Sequence, residues 1–224
     1  MAFRRHVFAL GEWYHCYNRG VDKRVVFENI RDRERFLETL YLCNTADVVR
    51  RDNLRSKSHN EIFEIPHESE LVNIGAYCLM PNHFHLLLQE RTKNGISQFM
   101  QKIGTAYTMY FNIKRERVGG LFVKPFRSKY VGEDLYFKYV AQYIHLNPVE
   151  LFEPGWKFGK IKNSNTIEAR LKKYPFNSLI DYEHMIRPEK AILNATAFEL
   201  IREGLPPIKK MLGEAAEYYA GLEK

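Results

Sequence analysis

The chain has few cysteines, no long apolar run and no repeat, and each lack removes a class of protein. Only three of its 224 residues are cysteine, Cys16, Cys43 and Cys78, far apart and odd in number. That argues against a disulfide framework and a cysteine-rich zinc site, and it fits a reducing cytoplasm. No stretch of about 18 apolar residues occurs, so no membrane span is expected. The opening "MAFRRHVFALGEW" offers only a few apolar residues before Gly11, Glu12 and Trp13, too few for the core of a signal peptide. Acidic residues are also short: 34 Lys and Arg against 27 Asp and Glu leave a net +7. With a pI near 9.2, the balance favours a polyanionic partner such as nucleic acid. What is present is ordinary globular composition, 45% hydrophobic and 27% charged, which rules out disorder throughout. The length suits one domain, or one domain with an appendage.

The pattern along the chain predicts alternating elements. "EWYHCYNRGV" reads as a strand that breaks into a turn at Asn18-Arg19-Gly20. "RDRERFLETLYLCNTA" places Phe36, Leu37, Leu40, Tyr41 and Cys43 at helical spacing. The polar, aperiodic stretch that follows is the best candidate for a long insertion, at about residues 46–70. "LVNIGAYCLMP" and "HFHLLLQE" form a hairpin joined at Pro81-Asn82, and "GISQFMQKIGTAYTMYFNIKRE" a long helix ended by Gly119-Gly120. "FRSKYV" is a short strand, and "EDLYFKYVAQYIHLNPVE" a helix stopped near Pro148. The order β-α-β-β-α-β-α predicts an α+β fold: a ferredoxin-like antiparallel sheet with helices on one face, plus one extra helix. From about residue 151 the character changes. "LFEPGWKFGKIKNSN" looks like a connection, and "YPFNSLIDY" with the stretch Ala197 to Leu222 suggests short helices. The expected division is a catalytic domain at 1–150 and a C-terminal helical appendage at 151–224.

"MPNHFHLLLQE" raises the chemical question. On a strand, His83 and His85 point the same way and Phe84 the other. Two neutral imidazoles side by side are half a metal site, although H-x-H alone is as easily two histidines at a strand end. In the last helix of the core, Tyr143 and Asn147 are four apart, hence on one face. An amide oxygen suits a hard cation, Mg²⁺ or Mn²⁺, as a third ligand beside the histidines. A tyrosine one turn away then becomes a candidate nucleophile. Its pKa near 10 demands in-line placement and a phosphate whose charge is neutralised. Core packing for Tyr143 and a helix-end role for Asn147 are the plainer alternatives. His145 competes as a ligand but projects from another side of the helix.

"MPNHFHLLL", a long helix, "PFRSKY" and "YIHLNPVE", in that order, resemble the single-tyrosine HUH transposases, including the REP-associated tyrosine transposases. "YHCYNRGVDKRVVFENIRDRERFLETL" resembles their first strand, turn and helix, and "YPFNSLIDY" their Tyr-x-x-Ser-Ser segment, so the likeness covers roughly residues 10–185. The resemblance implies that His83 and His85 are metal ligands and that Asn147, where relatives carry Gln or Asn, is the third. It implies that Tyr143 is the nucleophile, which becomes linked to a 5′-phosphate and leaves a free 3′-hydroxyl. The expected function is a DNA transposase or strand transferase. The chain departs from the family where relatives often have Arg-Ala-Gly-Leu and it has Leu151, Phe152, Glu153 and Pro154.

Substrate contacts are expected from Lys114, Arg115, Arg117, Lys124, Arg127 and Lys129, interleaved with Phe122, Phe126 and Tyr130 for base stacking, and from Arg19, Lys23 and Arg24 at the first turn. The expected partner is single-stranded or hairpin DNA, with no membrane, in the cytoplasm at the nucleoid; monomer and homodimer are both open. Two other classes fit part of the pattern. One is a non-catalytic single-stranded nucleic-acid-binding protein, the other a metal-dependent endonuclease with no covalent step. A domesticated relative that does not mobilise itself is also compatible with the sequence.

Overall fold

Four strands, β1 (Trp13–Arg19), β2 (Val72–Met80), β3 (His83–Glu90) and β4 (Arg127–Val131), form one antiparallel sheet in the order β2-β3-β1-β4. The computed structural model describes residues 7–47, 56–66, 68–132, 134–158, 161–183 and 185–222. Residues 48–55 and 67 of the expected insertion lie outside the described residues; the described remainder holds the short helix α2 (His59–Ile62). With α1 (Ile30–Leu42) joining β1 to β2 and α3 (Gly95–Lys114) joining β3 to β4, the order is ferredoxin-like, as expected.

Local chemistry sets each boundary. Asn29 caps α1 by accepting the Asp32 amide at 3.0 Å. The buried Glu90 carboxylate accepts the Ile96 amide at 2.8 Å and serves the start of α3, where a negative charge is favoured. Met80 pairs with His83, so Pro81-Asn82 is a two-residue hairpin turn. That turn is bolted to the end of β1: Gly20 N–H donates to the Asn82 carbonyl and Val26 N–H to the Pro81 carbonyl, both at 2.9 Å. The first turn and the histidine strand are thereby fixed to each other.

The period-2 alternation of β3 gives the sheet two unlike faces. Phe84, Leu86 and Leu88 point towards α1 and α3 and are fully buried, with the Phe84 ring 4.8 Å from Phe36. His83 and His85 point the other way. There α4 (Asp134–Leu146), the extra helix, crosses the sheet with Phe137 packed on Trp13 at 5.0 Å. Helices therefore cover both faces: the two core helices on one side, the extra helix on the histidine side.

α4 stops ahead of Asn147-Pro148, and α5 (Val149–Phe152), α6 (Ser164–Leu171), α7 (Leu179–Tyr182), α8 (Ala195–Gly204) and α9 (Ile208–Leu222) follow. These C-terminal elements pack in two places. Residues 176–178 pair with the outer edge of β2, with Leu79 N–H donating to Phe176 O at 2.9 Å and Ser178 N–H to Tyr77 O at 3.0 Å, which covers an edge that would otherwise be open. A buried Arg187–Asp181 ion pair at 2.6 Å fastens the same segment, Arg187 also reaching the Tyr77 hydroxyl. Separately, Leu146, Val149, Trp156, Ile167, Leu171, Leu179, Ile208, Met211 and Leu212 form a second apolar cluster beyond the end of α4.

Candidate active site

β1 and β3 lie side by side with Tyr17 opposite His85 and Arg19 opposite His83, and β4 adds Arg127 opposite Tyr17 and Lys129 opposite His15. Residues paired across a ladder share a face. Three strands thus collect three histidines, a tyrosine and three cations on the side crossed by α4. Tyr143 stands over them, its ring 5.6 Å from His85 and 5.7 Å from His15, near perpendicular to the former at 89°. The His83 and His85 rings are 5.1 Å apart. Asn147, one turn further, is buried, and its Nδ2 donates to the Tyr143 carbonyl at 2.8 Å. That commits the amide nitrogen to a helix-end carbonyl.

Both histidines have their Nδ1 held. His83 Nδ1 lies 2.6 Å from Asn82 Oδ1, while Asn82 Nδ2 donates to the Lys23 carbonyl at 3.0 Å. Asn82 Oδ1 can only accept, so His83 carries its proton on Nδ1 and a lone pair on Nε2. His85 Nδ1 lies 2.8 Å from His15 Nε2. When His85 donates in that bond, its Nε2 is likewise a lone pair and His15 holds its own proton on Nδ1.

Electrostatics keep these rings neutral. Burial, helped by Arg19 and Lys157, lowers the His83 pKa to about 4. Burial, helped by Lys129, brings His15 to about 4, and His85 falls well below the ordinary imidazole value through burial and its histidine and cationic neighbours. A neutral imidazole is the form that binds metal. Burial raises the Tyr143 phenol, with the Asn147 amide opposing, so the hydroxyl is protonated at neutral pH. His145 takes no part here. It is fully buried, its Nε2 is 3.0 Å from Ser178 Oγ, and its ring packs on Tyr182 at 5.1 Å.

A family model described as "Transposase IS200 like" matches residues 37–147, from within α1 through Asn147. The chain belongs to the single-tyrosine, IS200-like transposase family. The fold agrees: a REP-associated tyrosine transposase, solved bound to a REP hairpin, aligns with a TM-score of 0.52 over 84% of this chain and 90% of that chain. At 12% identity, that likeness is one of fold. No curated protein matches the chain.

In this member of the family the nine expected DNA-contacting cations fall into separate groups. Arg19, Arg127 and Lys129 lie on the histidine face. Lys23 is exposed in the turn after β1, while Arg24 folds back on that turn, donating to the Val21 carbonyl at 3.0 Å and pairing with Asp22 at 3.3 Å. Lys124 is exposed in the loop before β4. Lys114, Arg115 and Arg117 sit at the end of α3, on the α1 side: Lys114 bonds the buried Asp32 at 2.5 Å, Arg115 clasps Glu28, and Arg117 bonds Asn112 and the Gly120 carbonyl. Of the expected stacking residues, Phe122 is buried beside Phe36 and Phe84 and is out of reach of a base, whereas Tyr130 is half exposed. Three residues at the site were not singled out among the candidates read from the sequence: His15, Tyr17 and Lys157. The first two were findable, since they alternate with Cys16 on the same period as Arg19 and so must share its face.

Proposed function

We propose that this transposase cleaves and rejoins single-stranded, hairpin-bearing DNA through a 5′-phosphotyrosine intermediate on Tyr143. The observation that carries the reading is the Tyr143 ring standing over His85 and His15, beside Arg19 on the same face. Tyr143 Oη attacks the scissile phosphorus, the P–O3′ bond breaks, the phenolic proton leaves to solvent and the departing 3′-oxygen takes one up. The phosphodiester is exchanged rather than hydrolysed, so a free 3′-hydroxyl can run the step backwards and join strands without ATP. Residues 1–150 form the catalytic domain in this reading and 151–224 the appendage, and the protein acts at DNA in the nucleoid. The hairpin substrate class is suggested by the DNA on which the structurally similar transposase was solved.

Among the described residues no three His, Cys, Asp or Glu side chains converge on one metal position. The donor set still fits a hard cation. Both imidazoles are neutral with Nδ1 engaged, which leaves Nε2 to ligate, and Asn147 has an amide oxygen to offer. His83, His85 and Asn147 would hold Mg²⁺ or Mn²⁺, which when bound supplies Lewis-acid polarisation of the scissile phosphate.

The test mixes the protein with 3′-labelled hairpin oligonucleotides carrying randomised single-stranded flanks, in Mg²⁺ or Mn²⁺. Labelled DNA attached to protein, absent with Tyr143→Phe, is the expected result. Cutting without an adduct would transfer the site to water-activating nuclease chemistry, and binding without cutting to a passive nucleic-acid-binding role.

A further inference from the structure

The fourth wall of the site comes from the segment that looked like a connection. Trp156 is almost wholly buried in the second apolar cluster, among Leu146, Ile208 and Met211, and this anchors the short turn Trp156–Phe158 against the end of α4. Lys157, the next residue, is half buried and carries its ammonium 5.5 Å from the centre of the Tyr143 ring, within cation–π range. Its charge reaches both His83 and His85, as does that of Arg19. Arg19 approaches from the end of β1, opposite His83. Two cations from distant parts of the chain therefore flank the tyrosine and the histidine pair, one from the sheet and one from the C-terminal region.

Tyr143 is partly buried, and a phosphate brought to its hydroxyl comes to the ring beside which the Lys157 ammonium stands. In phosphoryl transfer charge is spread over the non-bridging oxygens, and fixed cations beside them lower the barrier because they need no reorganisation. We propose that Lys157 is a catalytic residue: its ammonium contacts a non-bridging oxygen of the scissile phosphate while Arg19 holds the strand from the other side. The inference rests on the phosphotyrosine reading. As Oη–P forms and P–O3′ breaks, Lys157 keeps its proton throughout and acts as a fixed charge; the phenolic proton goes to water and the 3′-oxygen is protonated from water.

The probe is whichever hairpin oligonucleotide the wild-type protein cuts from a pool with randomised flanks. Single-turnover adduct formation is compared for wild type, Lys157→Met, which keeps the aliphatic stem, and Lys157→Arg, alongside hairpin affinity and thermal midpoint. The expected result is a roughly 30- to 300-fold slower Lys157→Met with affinity and midpoint little changed, and substantial recovery in Lys157→Arg. A methylphosphonate at the scissile position, which removes the charge on the phosphate, should shrink the gap between wild type and Lys157→Met, something a packing role would not do. An adduct rate for Lys157→Met within about threefold of wild type overturns the proposal. A rate loss that the methylphosphonate leaves untouched overturns it too. Wild-type protein that forms no adduct sinks the phosphotyrosine reading, and this inference with it. Wild-type adduct lost in Tyr143→Phe but unchanged in Lys157→Met removes this inference alone.

Discussion

The two faces of β3 share one backbone and divide the work of the molecule. Phe84, Leu86 and Leu88 face α1 and α3 and sit in the apolar core, Phe84 packing tilted on Phe36 at 4.8 Å and edge-on to Phe122 at 5.5 Å. One residue away, His83 and His85 face α4, where neighbours are polar or charged and burial works against the protonated imidazole. A strand can do both because its side chains alternate, so the stable face fixes the backbone to which the reactive face is attached. The lesson concerns precision: the histidines need no scaffold of their own, since a slip of one residue would bury them among the phenylalanines.

The largest expected effect breaks this partition directly. His85→Ala should lower the adduct rate by roughly 10³-fold, because it removes a proposed metal donor and the partner of His15; since both rings are buried, the lost hydrogen bond also costs about 1–3 kcal/mol of stability. Phe84→Ala, on the next residue, should shift the balance the other way: about 3–5 kcal/mol of stability lost to a cavity between Phe36 and Phe122, with chemistry intact wherever the protein is still folded. Single-turnover rates and urea midpoints on the pair would settle it; equal losses of rate and stability in both variants would mean the faces are not separable.

His15 sharpens the picture from within the reactive face. Its Nε2 is the hydrogen-bond partner of His85 Nδ1 at 2.8 Å, the position from which a second residue fixes a ligand's tautomer. His15→Phe should preserve packing yet weaken Mn²⁺ binding about 10- to 100-fold, read by calorimetry. An unchanged Mn²⁺ affinity would show that His85 needs no such support.

Much of this was legible in the chain and some was not, for physical reasons. The order of strands and core helices, the Pro81-Asn82 turn and the pairing of two histidines with a tyrosine followed from periodicity and a long ordered set of motifs. These are local patterns, and a ladder propagates them faithfully. What stayed hidden depends on three-dimensional closure. Nothing in "LFEPGWKFGK" says that Trp156 will be buried and aim Lys157 at Tyr143. Likewise the basic run in "FNIKRERVGG" looked like one DNA-facing cluster, whereas Lys114 and Arg115 meet Asp32 and Glu28, acids more than 80 residues earlier.

His59 lies on neither face and tests the frame that joins them. It bridges Glu38 of α1 at 3.0 Å and Glu189, before α8, at 3.1 Å. Although burial opposes protonation, these two carboxylates raise its pKa to about 9. A folded pKa above the unfolded value of about 6.5 means that the bridge stabilises fully below that pH and is lost as pH rises through about 9. Wild type should therefore exceed His59→Gln by on the order of 2 kcal/mol at pH 6 and by much less at pH 9.5. In thermal melts the gap would be roughly 4–8 °C at the lower pH. A gap that is constant between the two would show that the bridge is not ionic.

The smallest effect separates cations by face. Arg127 is exposed on the histidine face, whereas Lys114, on the opposite side, is bonded to the buried Asp32 carboxylate at 2.5 Å. Arg127→Ala should lower hairpin affinity a few-fold and reduce the slope of log affinity against log salt by about 0.7, the value for one phosphate contact on a single strand, with stability unchanged. Lys114→Ala should leave that slope alone and cost about 1–2 kcal/mol, less than a fully buried pair because the ammonium is partly solvated. Were Lys114→Ala to change the salt slope instead, DNA would have to wrap around to the α1–α3 side. The division between a face that stabilises and a face that reacts would then stop at the protein and not extend to its substrate.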